Sequence, residues 1–116
     1  MRAVKKQGVI PASEFSDMFV QGMYDRMAVS FYKYGPIAKG FPAPMDALAS
    51  LQLHLDRYGE DHNTEHLIDA ANYCMIEFLC PSYQDAAFTP TDSNKSPGRK
   101  KVGGTITTKH NLDVMP

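Results

Sequence analysis

The sequence predicts an all-α fold, a small bundle of three to four helices with a long loop-rich C-terminal tail. Three observations predict it. Apolar residues recur at three- and four-residue spacings in three stretches between Ser13 and Pro81. Gly-Pro, Gly-Glu-Asp and Cys-Pro punctuation separates or ends those stretches. After Pro81 the chain becomes poor in large aliphatics and rich in Ser, Thr, Pro, Gly and Lys. With 116 residues and 43% hydrophobic content, one small domain is expected. A bundle of this size gains from self-association, so a homodimer or higher homo-oligomer is expected to complete it.

The divisions follow: a polar arm over 1–12, a helical domain over 13–81 and a basic tail over 82–116. The first helix carries Phe15, Met18, Phe19, Met23, Met27 and Phe31 as its stripe. Ser13 or Ser16 caps its start, Glu14 and Asp17 suit the positive helix end, and Gly35-Pro36 stops it. "GPIAKGFPAP" reads as an irregular connector. The second helix is expected from Met45 to Tyr58, with Pro44 at its start and Leu48, Leu51, Leu55 and Tyr58 on one face. "GEDHN" reads as a turn. The third helix is expected from Thr64 to Leu79, capped by Asn63 or Thr64 and stopped by Pro81. "VGGTITTKH" in the tail suits a short strand.

No apolar run reaches the roughly 18 to 20 residues of a membrane span, and no leader of signal type is visible, so a cytoplasmic location without a membrane partner is expected. Cys74 and Cys80 lie about 9 Å apart along one helix axis, too far for a disulfide, and are expected to be free and buried. Residues 1–39 carry a net +3, residues 40–81 a net −6 and residues 82–116 a net +2. The acidic centre argues against a nucleic-acid partner. It suits cation binding, and the basic ends suit phosphate; solvated helix faces account for it equally well.

The third helix poses the sharpest question. Leu67, Ala71, Cys74 and Phe78 form one apolar stripe, and Ile68, Met75 and Leu79 another. Between them run Glu65, Asp69 and Asn72. A helix apolar on most sides is enclosed, so Asp69 and Asn72 are expected to be shielded, and a shielded carboxylate needs a cation or several donors. Glu65 and Asp69, four apart, project the same way as two oxygen ligands of Mg²⁺ would. Alternatively Asp69 pairs with Arg26, Lys33 or Arg57 on a facing helix.

Lys33 beside Tyr32 and Tyr34 suits a base and a phosphate, or simple aromatic packing. Arg99, Lys100 and Lys101 after Gly98 suit phosphate, or a plain basic tail, without the GK[ST] of a P-loop. His54, His62, His66 and His110 are scattered along the chain and do not by spacing suggest zinc.

"KYG", "ALASLQLHLDRY" and "EHLIDAANYCMIEF" together resemble the MazG-like class of small helical proteins, including phage-type members linked to nucleotide pools and modified nucleotides. The resemblance covers about residues 23–80, with Glu65 to Tyr73 as the second motif. It implies an all-α dimer or tetramer that uses Mg²⁺ to split nucleoside triphosphates into monophosphate and pyrophosphate. It further implies Glu65 and Asp69 as catalytic metal ligands, with Asp25 as the earlier carboxylate nearest in place. Asn72, Lys33, Tyr34, Arg57, Arg99 and Lys100 would then hold the nucleotide. The sequence departs from the class pattern: Glu65 and Asp69 are four apart rather than three, His66 stands in the i−3 position, and the earlier Glu-xx-Glu is missing. Two functions therefore stand at this stage. One is a Mg²⁺-dependent hydrolase or binder of a nucleoside triphosphate or modified nucleotide. The other is a non-catalytic helical accessory protein that binds a nucleotide or a protein partner.

Overall fold

A computed structural model describes residues 8–91 and the backbone of 99–100 and 106–107. It divides into a unit ending at Ala86 and a second beginning at Ala87. In the first unit a 3₁₀ turn at Ala12–Glu14 precedes α1 (Asp17–Tyr34), and α2 (Ala47–Asp61) and α3 (Glu65–Leu79) follow. The second unit holds two strands, β1 (Arg99–Lys100) and β2 (Ile106–Thr107), paired antiparallel with Arg99 opposite Thr107. The strand expected near Ile106 is therefore present, and helices make up the regular structure among the described residues of the first unit.

Local chemistry sets the helix ends. Ser16 accepts the Phe19 N–H through its hydroxyl, and the chain leaves α1 at Gly35, whose φ of 87° suits glycine. The second helix starts later than expected. Asp46 rather than Pro44 defines it, because the Asp46 carboxylate accepts the Ala49 N–H at 3.0 Å. It also ends later: Gly59, Glu60 and Asp61 continue the helix, and the reversal begins at His62, which adopts the left-handed conformation with φ 59°. Asn63 Oδ1 then accepts the Glu65 N–H at 3.0 Å, the service the start of α3 needs.

The three-residue connection makes α2 and α3 a helical hairpin. α1 lies against α3 and approaches it tightly at Gly22, where a Cβ would sit 2.8 Å from Ile68 Cδ1. The absence of that Cβ lets the two backbones approach. The core is thin: Ala47, Ala70 and Ile76 are its buried apolar residues, joined by Asn72 at 5% exposure. Enclosure of α3 is confined to its middle, for Phe78 is 77% exposed and Leu79 and Cys74 are also exposed. The expectation of two buried thiols is thus corrected: Cys74 is exposed and Cys80 only partly covered, and both are free. α1 buries no residue fully and leaves Met18, Tyr24, Val29, Phe31 and Tyr32 exposed, since α3 covers only one side of it. No helix among the described residues is long and apolar enough to cross a membrane.

Candidate functional site

The polar strip of α3 meets both neighbouring helices. Glu65 and Asp69 are one turn apart, and both reach Arg26 of α1. The Arg26 guanidinium donates through Nε to Asp69 Oδ1, through Nη2 to Asp69 Oδ2 at 3.3 Å, and through Nη1 to Glu65 Oε2 at 3.1 Å. Of the three cations that could have met Asp69, the fold selects Arg26. Its fork engages both oxygens of one carboxylate, a geometry a lysine ammonium lacks. The hydrogen bond to Asp69 and the charges of Asp69 and Glu65 raise the Arg26 pKa above its usual value. Asp69 is well covered, with its side chain 14% exposed, whereas Arg26 and Glu65 lie at the rim at 46% and 52%.

One turn further on, Asn72 is buried. Its Nδ2 donates to the Met23 carbonyl of α1 at 3.1 Å, while its Oδ1 is buried with no protein partner. The amide thus ties α3 to α1 next to the ion pair. Its placement explains an amide in the middle of an apolar helix: it gives α3 a hydrogen bond to the backbone of the facing helix.

The opposite flank of Asp69 faces α2. His54 Nδ1 lies 3.9 Å from Asp69 Oδ2 and 3.3 Å from His66 Nδ1. His66 Nε2 lies 3.0 Å from Asp61 Oδ2 at the end of α2. A carboxylate accepts only, so Nε2 carries the hydrogen and donates it. The N–H of Asn63 and the His66 ring together hold the Asp61 carboxyl below its ordinary range. Tyr73 stacks on the His54 ring at 5.5 Å between centroids and 23° between planes. Two histidines read in the sequence as scattered therefore converge. The available signal was the i, i+3 spacing of His66 and Asp69; the approach of His54 depends on the packing of the hairpin.

The remaining residues singled out in the sequence lie elsewhere. Asp25 takes the side-chain amide of Gln21, one turn back on the same helix, at 2.8 Å. Lys33 and Tyr34 close α1, seven or more residues and thus about 10 Å of helix axis beyond Arg26. There the Lys33 ammonium sits 5.3 Å from the Tyr34 ring centroid. Arg57 is exposed on α2. Arg99 and Lys100 form β1 in the second unit, and their side chains lie outside the described residues, as do Lys101, His110 and the first seven residues of the polar arm.

Mg²⁺ prefers oxygen donors in near-octahedral array. Glu65 and Asp69 both turn toward a guanidinium, and Asp25 does not join them. Among the described residues, the convergent group of three metal-ligating side chains is His54, His66 and Asp69. As arranged here, the carboxylates Asp25, Glu65 and Asp69 do not fit a shared Mg²⁺.

Comparison with family models, with curated proteins and with solved structures gives no match.

Proposed function

We propose that this chain is a hydrolase or binder of a nucleoside triphosphate or modified nucleotide, of the kind its MazG-like motifs imply. The supporting observation is the half-exposed Arg26 guanidinium, held in orientation by Glu65 and Asp69. Three of the five guanidinium N–H groups serve Asp69 and Glu65, and the remaining N–H on each Nη, held in orientation by the carboxylates, can meet phosphate oxygens with little side-chain freedom left to lose. In this reading Arg26 takes the phosphate charge. Asp69 and Glu65 keep Arg26 in place by accepting its N–H groups. The exposed aromatic end of α1, with Lys33 and Tyr34, is the nearest surface suited to a base.

The test is calorimetric titration with a panel of nucleoside triphosphates, with and without Mg²⁺, followed by a pyrophosphate-release assay. Binding of one nucleotide that Arg26→Gln weakens at least tenfold supports the reading. Turnover that Asp69→Asn abolishes, with the helical circular dichroism unchanged, adds the activity. No binding of any nucleotide by the folded protein would refute it.

A second reading rests on a different observation. α1 presents an apolar surface that the described residues leave uncovered, including Met18 and Tyr32, both at 86% exposure. Exposed apolar residues grouped on one helix mark an association surface. The chain would then be a non-catalytic helical module completed by a second copy or by a protein partner. Light scattering separates the cases: a homo-oligomer that Phe31→Glu and Val29→Lys dissociate identifies a second copy. A monomer unaffected by these changes argues against self-association.

A further inference from the structure

We infer that His54, His66 and Asp69 form a binding site for a divalent transition-metal ion of the zinc class. The site is independent of the nucleotide reading, for it needs no nucleotide and uses two side chains that reading leaves idle.

The geometry carries the inference. Two imidazole nitrogens each about 2.0–2.1 Å from a tetrahedral ion are separated by about 3.3–3.4 Å. His54 Nδ1 and His66 Nδ1 stand 3.3 Å apart. Asp69 Oδ2 is 3.9 Å from His54 Nδ1, so movement of the carboxylate toward the two rings completes a three-ligand face. One ligand atom from each residue lies within 4.8 Å of the others. Three protein ligands leave a fourth position for water or another ligand.

The protonation pattern points the same way. His66 donates its Nε2 hydrogen to Asp61, so the neutral ring has its lone pair on Nδ1, facing His54. Two facing lone pairs at this distance repel unless something positive lies between them. A proton on His54 Nδ1 supplies one answer and a metal ion the other. The surroundings favour the ion. Asp61 completes a carboxylate–histidine pair behind the ligand nitrogen, the outer-shell arrangement that fixes tautomer and ring orientation at metal sites. Tyr73 holds the His54 ring by stacking. Arg26 anchors Asp69 mainly through Oδ1, with a longer bond at 3.3 Å to the Oδ2 that faces His54. Three carboxylates, Asp61, Glu65 and Asp69, stand against one guanidinium, so an added dication is electrostatically welcome. The ligand side chains are 13–15% exposed, which shields the site while leaving it reachable. Two imidazoles and one carboxylate suit zinc, cobalt, nickel or copper and not magnesium.

The test uses the full chain stripped with a chelator, without nucleotide. Titration with Co²⁺ is followed by the visible d–d absorption of a four-coordinate ion, and with Zn²⁺ by calorimetry. The expected result is one ion per chain, lost in both His54→Ala and His66→Ala. Asp61→Asn should weaken it about tenfold or more through the outer shell, and Asp56→Asn, whose carboxylate takes Gln52 on α2, should leave it unchanged. Nitrogen-15 NMR of the histidines gives a second measurement that needs no variant to fold: Zn²⁺ should move the Nδ1 resonances of His54 and His66. No saturable Zn²⁺ or Co²⁺ binding, or binding that persists in both histidine variants, overturns the site. Metal binding without any nucleotide response leaves the site standing and removes the nucleotide reading. Mg²⁺-driven nucleotide turnover by a His54→Ala, His66→Ala chain that binds no Zn²⁺ leaves both standing as separate sites.

Discussion

The Arg26 pair offers a direct check on how packing grades electrostatics in this fold. Arg26 reaches two carboxylates from one guanidinium, and the two differ in cover: the Asp69 side chain is 14% exposed and that of Glu65 52%. Two unit charges near 4 Å attract by about 4 kcal/mol at an effective dielectric of about 20. Desolvation and side-chain ordering offset most of that. Exposed pairs retain roughly 0.2–1 kcal/mol in double-mutant cycles, and Glu65 belongs with them. Asp69 is better covered and accepts two donors, so a coupling of about 1–2 kcal/mol is expected, between the exposed and the buried limits. The assay is urea unfolding in the presence of chelator of Arg26→Met, Asp69→Ala, Glu65→Ala and the two double variants, with methionine chosen to keep the apolar stem. Salt at 1 M should erase most of the Glu65 coupling and less of the Asp69 coupling, because the Debye length falls to about 3 Å and screens the rim first. A coupling to Asp69 no larger than that to Glu65 would refute the argument.

Other expectations follow from single positions. Asn72→Ala should cost under about 1 kcal/mol in urea unfolding, because losing the bond to the Met23 carbonyl is offset by removing the unpartnered Oδ1; Asn72→Asp should cost at least about 2 kcal/mol, since it buries a charge and removes the donor. His62→Gly should raise the melting temperature, worth about 0.5–1 kcal/mol, because His62 holds φ 59° where glycine is unstrained; His62→Val should lower it. Gly22→Ala should be near neutral, the helix-propensity gain of about 1 kcal/mol balancing displacement of the Ile68 tip, whereas Gly22→Leu should cost about 1–3 kcal/mol and loosen α1 from α3 in hydrogen exchange. Asp61 is held below the ordinary carboxylate range, so its contribution is present above that range and lost as pH falls through the lowered value. In chelator the stability gap between the native chain and Asp61→Asn should therefore close only in strong acid.

Much of the fold was legible along the chain because it depends on neighbours in sequence. The α1 boundaries follow from Ser16 and Gly35, and α3 from Asn63 and Pro81. The α2 boundaries were displaced because two local signals were outweighed. Pro44 gave way to the stronger cap at Asp46. Gly59, though a poor helix former, stayed helical up to the left-handed His62. The shielded position of Asp69 and Asn72 also followed from periodicity, while the exposure of Phe78 and Leu79 did not. Periodicity shows which residues share a face, but it does not show how far a neighbouring helix extends along that face.

The sequence alone therefore determined three amphipathic helices, their order, and a polar strip of Glu65, Asp69 and Asn72 set into the most apolar of them. Tertiary structure decided which groups those residues meet: Arg26 rather than Lys33 or Arg57 at Asp69, the Met23 carbonyl at Asn72, and His54 opposite His66. The reason is geometric. Each residue along a helix turns the side chain by about 100°, so a cross-helix partner depends on the rotation, offset and crossing angle of two helices. Those quantities are set by the fit of packed surfaces, here by the Gly22–Ile68 approach and by the short turn through His62, and not by any spacing along a single chain segment.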